Sequence, residues 1–225
     1  MKKRYDFHTH TLLSDGVLTP SEQISWAIKN NYSAIALTDH ADYSNIDFII
    51  KNLLNFIKNE SKFYKDIDIF AGIEITHVPP NLINEMAKYA KNIGAKIVVV
   101  HGETISEPVP LKTNYYAVRS NYVDILAHPG LISEEDIIQA VKNDIYIEIT
   151  TRKSHALTNG HVARLAIKNN AKILINSDVH TPDDFCNYEK AFKIGLGSGI
   201  SEENLIEIME KNPKLFINKI KNNDI

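Results

Sequence analysis

Nine histidines occur in the 225 residues, and six of them share a pattern. His8 and His10 form a His-Thr-His triplet, His40 follows Asp39, and His101 and His128 each end an apolar run. His180 stands two residues past Asp178, after another such run. Glu74 lies near the end of a further run, and Asp15 sits in Leu-Ser-Asp-Gly, shortly after His10. Residues two apart share one face of a strand, so His8 and His10 point the same way. Carboxylates crowded together repel unless cations lie between them. Imidazole suits Zn-, Fe- and Mn-class ions, and carboxylate oxygens can bridge two ions. The pattern is that of a metal cluster. His77, His155 and His161 do not share the spacing; lining the cleft and a plain loop or helix role suit each of them about equally.

The elements that must position these groups alternate along the chain. Strands are predicted over 5–10, 34–40, 67–76, 96–101, 123–128, 146–150 and 173–178. Several are near-continuous apolar runs, such as Ile97-Val98-Val99-Val100, which suits parallel strands buried on both faces. Between them lie helix signals. Thr19-Pro20-Ser21-Glu22 is a capping box with proline in the first turn, and Ser133-Glu134-Glu135-Asp136 and Thr181-Pro182-Asp183-Asp184 follow the same logic. Seven strand–helix units predict an α/β barrel, with an open doubly wound sheet as the alternative. In such barrels the active site lies at the C-terminal ends of the strands, where these histidines fall. Residues 201–225 read as two helices, the second opened by Asn212-Pro213 and packed on the outside or one end of the barrel. The run Gly195-Leu196-Gly197-Ser198-Gly199 follows no strand and reads as a loop, not a dinucleotide site.

In order along the chain, His8-Thr9-His10, Ser14-Asp15-Gly16, Thr38-Asp39-His40 and Gly72-Ile73-Glu74 are followed by His101, His128-Pro129-Gly130 and Ser177-Asp178-Val179-His180. This series resembles the PHP (polymerase and histidinol phosphatase) family of metal-dependent phosphoesterases, over essentially the whole chain. The resemblance implies a distorted seven-stranded (β/α)7 TIM-like barrel, a single PHP domain over 1–225, and two or three divalent metals per chain, Zn, Mn or Fe. It implies that His8, His10, Glu74 and Asp178 hold a first metal. Glu74 would bridge to a second, held by His101 and His128, and Asp15, His40 and His180 would hold a third. Asp39 would act from behind a ligand by orienting its imidazole. The implied activity is hydrolysis of a small phosphomonoester, histidinol phosphate or a similar metabolite, by a metal-bound hydroxide. Metals near one another can bind both the attacking and the leaving oxygen. After the sixth strand, Arg152 offers a planar fork for phosphate, with His155 beside it as a second contact. Glu103, next to His101, is a further acidic neighbour.

Composition narrows the function classes. Hydrophobic residues make up 44% and charged residues 24%, which suits a folded protein and excludes a disordered or collagen-like chain. The formal charge of −3 argues against a long nucleic-acid partner. A PHP-type nuclease or nucleotide phosphatase is the alternative enzyme. A non-catalytic RNA-binding scaffold, like the barrel subunit of ribonuclease P, and a metal-dependent amidohydrolase rank lower. No apolar run reaches membrane-spanning length, and MKKRYDFHTH lacks the apolar stretch of a secretory signal. Cys186 is the one cysteine, so no internal disulfide can form; this fits a cytoplasmic protein, with Cys186 inert. No pattern in the sequence fixes an oligomeric state.

Overall fold

In the computed structural model, which describes residues 2–222, the parallel strands curl into a nearly closed barrel wrapped by helices. The strands are β1 (Arg4–Asp6), β2 (Tyr32–Leu37), β3 (His40–Ala41), β4 (Asp68–Ile75), β5 (Ile97–His101), β6 (Ile125–Ala127), β7 (Tyr146–Thr150) and β8 (Ile173–Asn176). The order around the sheet is β1-β2-β4-β5-β6-β7-β8, with β3 also paired to β4. β3 continues the line of β2 after a break at Thr38 and Asp39, so the predicted strand 34–40 is two pieces serving one staff of the barrel. Beyond β1 and β8 the chain closes the ring: His10 N donates to Val179 O at 2.8 Å and Asp178 N to His8 O at 2.9 Å.

Side-chain alternation sorts the strands into two layers. Ile35, Leu37, Val98 and Val100 face outward into the core shared with the helices. Ala34, Ala36, Phe70, Ile97, Val99, Tyr146 and Leu174 face inward. Stepping two or four residues along the inward rows leads from Phe70 to Glu74, from Ile97 to His101, and from Tyr146 to Glu148. The same periodicity that fills the lower barrel with apolar groups therefore sets imidazole and carboxylate groups above them.

The helices are α1 (Pro20–Lys29), α2 (Ile46–Glu60), α3 (Ile83–Asn92), α4 (Thr113–Ala117), α5 (Glu134–Lys142), α6 (Asn159–Lys168), α7 (Tyr188–Gly197), α8 (Glu202–Ile206) and α9 (Asn212–Asn222). α1 and α5 begin where predicted, capped by Thr19 and Ser133. The Thr181 capping box instead closes a short 3-10 turn at Pro182–Asp184, and α7 starts later from an Asn187 cap. Gly195 and Gly197 lie inside α7 rather than in a loop; a methyl on Gly195 would strike Leu205 and Ile175, so the residue permits close packing of α7. Asn212-Pro213 does not open a separate helix. A π-helical stretch, Glu207–Lys211, runs straight from α8 into α9. Its widened turn accommodates a ring that would clash with the carbonyl four residues back in a regular α-helix. α9 closes the lower end of the barrel: the Phe216 ring packs edge-on against Phe7 and Tyr146, with centroids 4.8 and 4.9 Å away. Among the described residues, no helix is long and apolar enough to cross a membrane.

Candidate metal centre

Because all strands run parallel, their C-terminal ends converge on one mouth, and the sequence-predicted residues meet there. His8 and His10 lie just past β1, His40 begins β3, Glu74 lies near the end of β4 and His101 ends β5. His128 follows β6, and Asp178 and His180 follow β8. His128 and Asp178 take left-handed backbone, at φ 25° and 52°, unfavourable for side chains of their size and held by the packing around them.

The donor atoms form overlapping groups, each within 4.8 Å. One comprises His8, His10 and Glu74, and a second His8, His128 and Asp178. A third comprises His10, Asp15, His40 and His180, and a fourth His101, His128 and His155. Glu74 stands between them. Its Oε1 is 3.2 Å from His8 Nε2 and 3.5 Å from His128 Nε2, and its Oε2 is 2.7 Å from His40 Nδ1 and 3.7 Å from His10 Nε2. Asp15 Oδ1 lies 3.2 Å from His180 Nε2 and 3.6 Å from His40 Nε2. Asp178 Oδ1 is 3.1 Å from His10 Nε2.

These contacts fit divalent cations better than they fit a purely hydrogen-bonded core. The Nε2 atoms of His8 and His10 face each other at 3.0 Å, and those of His40 and His180 at 3.4 Å. Glu74 Oε1, Asp178 Oδ1 and both ring nitrogens of His128 are buried without a hydrogen-bond partner among the described residues. Buried polar atoms are normally satisfied, and several orphans around one point mark a missing charge. Borderline imidazole nitrogens mixed with carboxylate oxygens suit Zn, Mn or Fe.

The titration behaviour follows from crowding. Burial pulls the His8 imidazolium down, but Glu148, Glu74 and Asp178 overcome it and hold His8 well above its usual range. His40 likewise resists burial through Glu74 and Asp15 and is raised to about 9. Burial and the neighbouring His40 push His10 well below its ordinary value, and burial with His128 lowers His155 to about 3. Burial raises Glu74, yet His8, His101 and His40 together draw it well below the usual carboxylate range.

Asp39 does not orient an imidazole, contrary to the expectation from sequence. Its carboxylate accepts from Thr11 N at 2.8 Å, Thr11 Oγ1 at 2.9 Å and Ser14 Oγ at 2.8 Å. It thus fixes the loop that carries Asp15. Arg152 reaches the centre, but part of its fork is engaged: Nη1 donates to the Asp178 carbonyl at 2.9 Å and lies 2.6 Å from His180 Nδ1. His155 is buried among the cluster, its ring stacked on His128 at 4.4 Å, rather than standing open beside Arg152. Glu103 turns away and accepts from Asn114 N at 2.8 Å. His161 Nε2 donates to the Ile132 carbonyl at 2.8 Å, outside the centre.

Two participants, Glu148 and Glu107, belong to no motif of the sequence, and His77 joins them from outside the strand-end set. Glu148 Oε2 lies 2.8 Å from His8 Nδ1; its signal was a lone carboxylate on the inward row of β7. His77, at φ 53°, brings its ring within 4.8 Å of His101. Glu107 reaches His77, His101 and His155 from the loop after β5 and carried no periodic signal.

Comparison with known proteins agrees with this architecture. The chain is 48% identical to an uncharacterized protein of Methanocaldococcus jannaschii, over 96% of this chain and all of that one. It is 24% identical to a probable phosphatase of Thermoanaerobacter sp., over 90% of this chain and 89% of the relative. Histidinol phosphate phosphatase from Lactococcus lactis, solved with zinc, L-histidinol and phosphate, has the same fold. It superposes with a TM-score of 0.61 at 14% identity, covering 88% of this chain and 95% of that one. The PHP domain family profile matches residues 6–172, and this chain belongs to the PHP family.

Proposed function

We propose that this chain is a metal-dependent phosphoesterase that hydrolyses a small phosphomonoester, histidinol phosphate or a similar metabolite. The observation that carries the reading is the set of buried, unpaired imidazole and carboxylate atoms converging at the barrel mouth. In this reading His8, His10, Glu74 and Asp178 would hold one metal, Glu74, His101 and His128 a second, and Asp15, His40 and His180 a third. Divalent ions held there would supply positive charge for the phosphate oxygens and would lower the pKa of a water toward neutrality. The named relatives, a probable phosphatase and a histidinol phosphate phosphatase solved with zinc and phosphate, support the same class.

The chain's own residues do the positioning. Glu148 fixes the His8 ring so that Nε2 faces inward. Asp39, through Thr11 and Ser14, steadies the loop of Asp15. The N–H groups of Arg152 not donated to Asp178 bind a phosphate oxygen. Val17, Ile105, Leu131 and Leu157 stand exposed in loops on the strand C-terminal face and offer apolar surface to the organic part of a substrate. Cys186 is buried and joins none of the donor groups, and no side-chain nucleophile is invoked. The charge of −3 favours small anions over long nucleic acids.

The test is hydrolysis by the Mn-supplemented chain of p-nitrophenyl phosphate, histidinol phosphate and a DNA or RNA oligonucleotide. The reading expects turnover of the phosphomonoesters that does not depend on salt, and none of the oligonucleotides. Cleavage of oligonucleotides alone would replace it with the nuclease reading. Metal-loaded chain inactive on all three would contradict an enzymatic role.

A further inference from the structure

The loop between β5 and α4 carries one side chain to the centre that the nine-residue assignment leaves unused. Glu107 is partly exposed, at 39% for its side chain. Its Oε2 nevertheless lies 3.2 Å from His101 Nε2 and 3.5 Å from His77 Nε2, and its Oε1 lies 3.3 Å from His155 Nε2. Imidazoles from three separate segments therefore meet on one carboxylate. The nitrogen it meets is the one available to a metal. His101 Nδ1 faces the Gly102 carbonyl at 3.1 Å and His155 Nδ1 faces Thr104 Oγ1 at 2.9 Å, which leaves each Nε2 pointing at Glu107. His155 also belongs to the donor group of His101 and His128.

The backbone of this loop is anchored through Glu103, Thr104 and Ser106, while the Glu107 side chain beyond them is partly exposed. Thr104 holds His155, Ser106 Oγ donates to the Ser154 carbonyl, Glu103 N donates to Asn114 Oδ1 at 3.0 Å, and Gly130 packs against the Glu103 carbonyl. From Ile105 to Pro108 every residue is exposed. A carboxylate there can withdraw into solvent without disturbing a strand, whereas Glu74 and Asp178 cannot. Its two oxygens span neighbouring imidazole sites as two oxygens of a phosphate group would. A phosphate dianion arriving at the same edge meets a negative charge already in place, and like charges at one position exclude each other.

We propose that Glu107 and His155 complete the outer metal position beside His101 and His128 in the resting protein, and that the substrate's phosphate displaces Glu107. The inference rests on the metal-dependent reading above and assigns Glu107 as an exchangeable ligand and His155 as a fixed one. Return of Glu107 then competes with the inorganic phosphate product and favours its release.

The test compares metal-loaded wild type with Glu107→Gln, reading inorganic phosphate affinity by calorimetry and metal retention against a chelator. Glu107→Gln is expected to bind phosphate about tenfold more tightly and, without phosphate, to lose one equivalent of metal about tenfold more readily, the scale on which single groups around metal sites act. Saturating phosphate should abolish the difference in metal retention, because phosphate then fills the position in both proteins. In His155→Asn, phosphate should not restore retention. Glu107→Asp, which keeps the charge with a shorter reach, should shift both quantities in the same direction by less. Phosphate affinity unchanged or weakened in Glu107→Gln would overturn the inference while leaving the metal centre standing. Wild type that binds no metal at all would overturn both.

Discussion

An imidazole has two nitrogens, and where one of them is held by a neighbour, that partner decides which atom faces the centre. His8 Nδ1 is held by Glu148 at 2.8 Å, His40 Nδ1 by Thr76 Oγ1 and Glu74 at 2.7 Å, and His101 Nδ1 by the Gly102 carbonyl at 3.1 Å. Nε2 is left toward the centre in all three. Glu148→Gln keeps the shape but not the charge, and it is expected to weaken metal retention about 10- to 100-fold although Glu148 is not a proposed ligand. Chelator competition measures this, and equal retention would remove Glu148 from the account. Protonation adds a second test. His8 is raised well above its ordinary value and His40 to about 9, so both carry protons at pH 7 in the metal-free protein. His10 is lowered and His155 sits at about 3, so both are already neutral. Metal must displace the protons of the first pair. Metal affinity should therefore rise with pH, up to and through about 9, where His40 loses its proton. Calorimetry at pH 7 in two buffers of different ionisation enthalpy counts the protons; binding with none released would contradict the assignment.

At the scale of elements, the barrel was legible because its strands are apolar runs that end in chemistry. The inward row of β5, Ile97, Val99 and His101, states both the burial and the ligand in five residues. His-Thr-His and Asp178-Val179-His180 carry their own spacing. Legibility failed where tertiary packing overrode local signals. The Thr181 cap makes only a 3-10 turn, and the π-helical stretch lets Pro213 follow α8 without a break. Glu148 was hidden because a carboxylate inside an apolar strand looks like an exception until the barrel closes around it. Glu107 and His155 meet across 48 residues, through loops whose course no periodicity encodes. The β5–α4 loop depends on Gly130, at φ 62°, where a methyl would collide with the Glu103 carbonyl. Gly130→Ala is thus expected to cost about 1–3 kcal/mol through backbone strain and to loosen this loop. Urea unfolding measures the loss; a stability within 0.5 kcal/mol of wild type, the scale of ordinary surface changes, would show that the loop adapts freely.

The whole molecule separates stability from chemistry along the barrel axis. Its lower half is apolar and closed by Phe216 and Ile220 of α9, and its upper half is polar, lined by buried imidazole and carboxylate groups. The parallel sheet makes this division possible, since every strand delivers its last residues to the same side. Crowding so many carboxylates and imidazoles there makes sense only with positive charge between them, and that is the central claim. The most direct test is elemental analysis of metal per chain, on protein purified without chelator and then supplied with Mn or Zn. We expect two or three divalent ions per chain, falling by at least one when His8→Ala and His10→Ala are combined. A wild-type chain that stays metal-free under these conditions, or a double variant that retains the full complement, would contradict it.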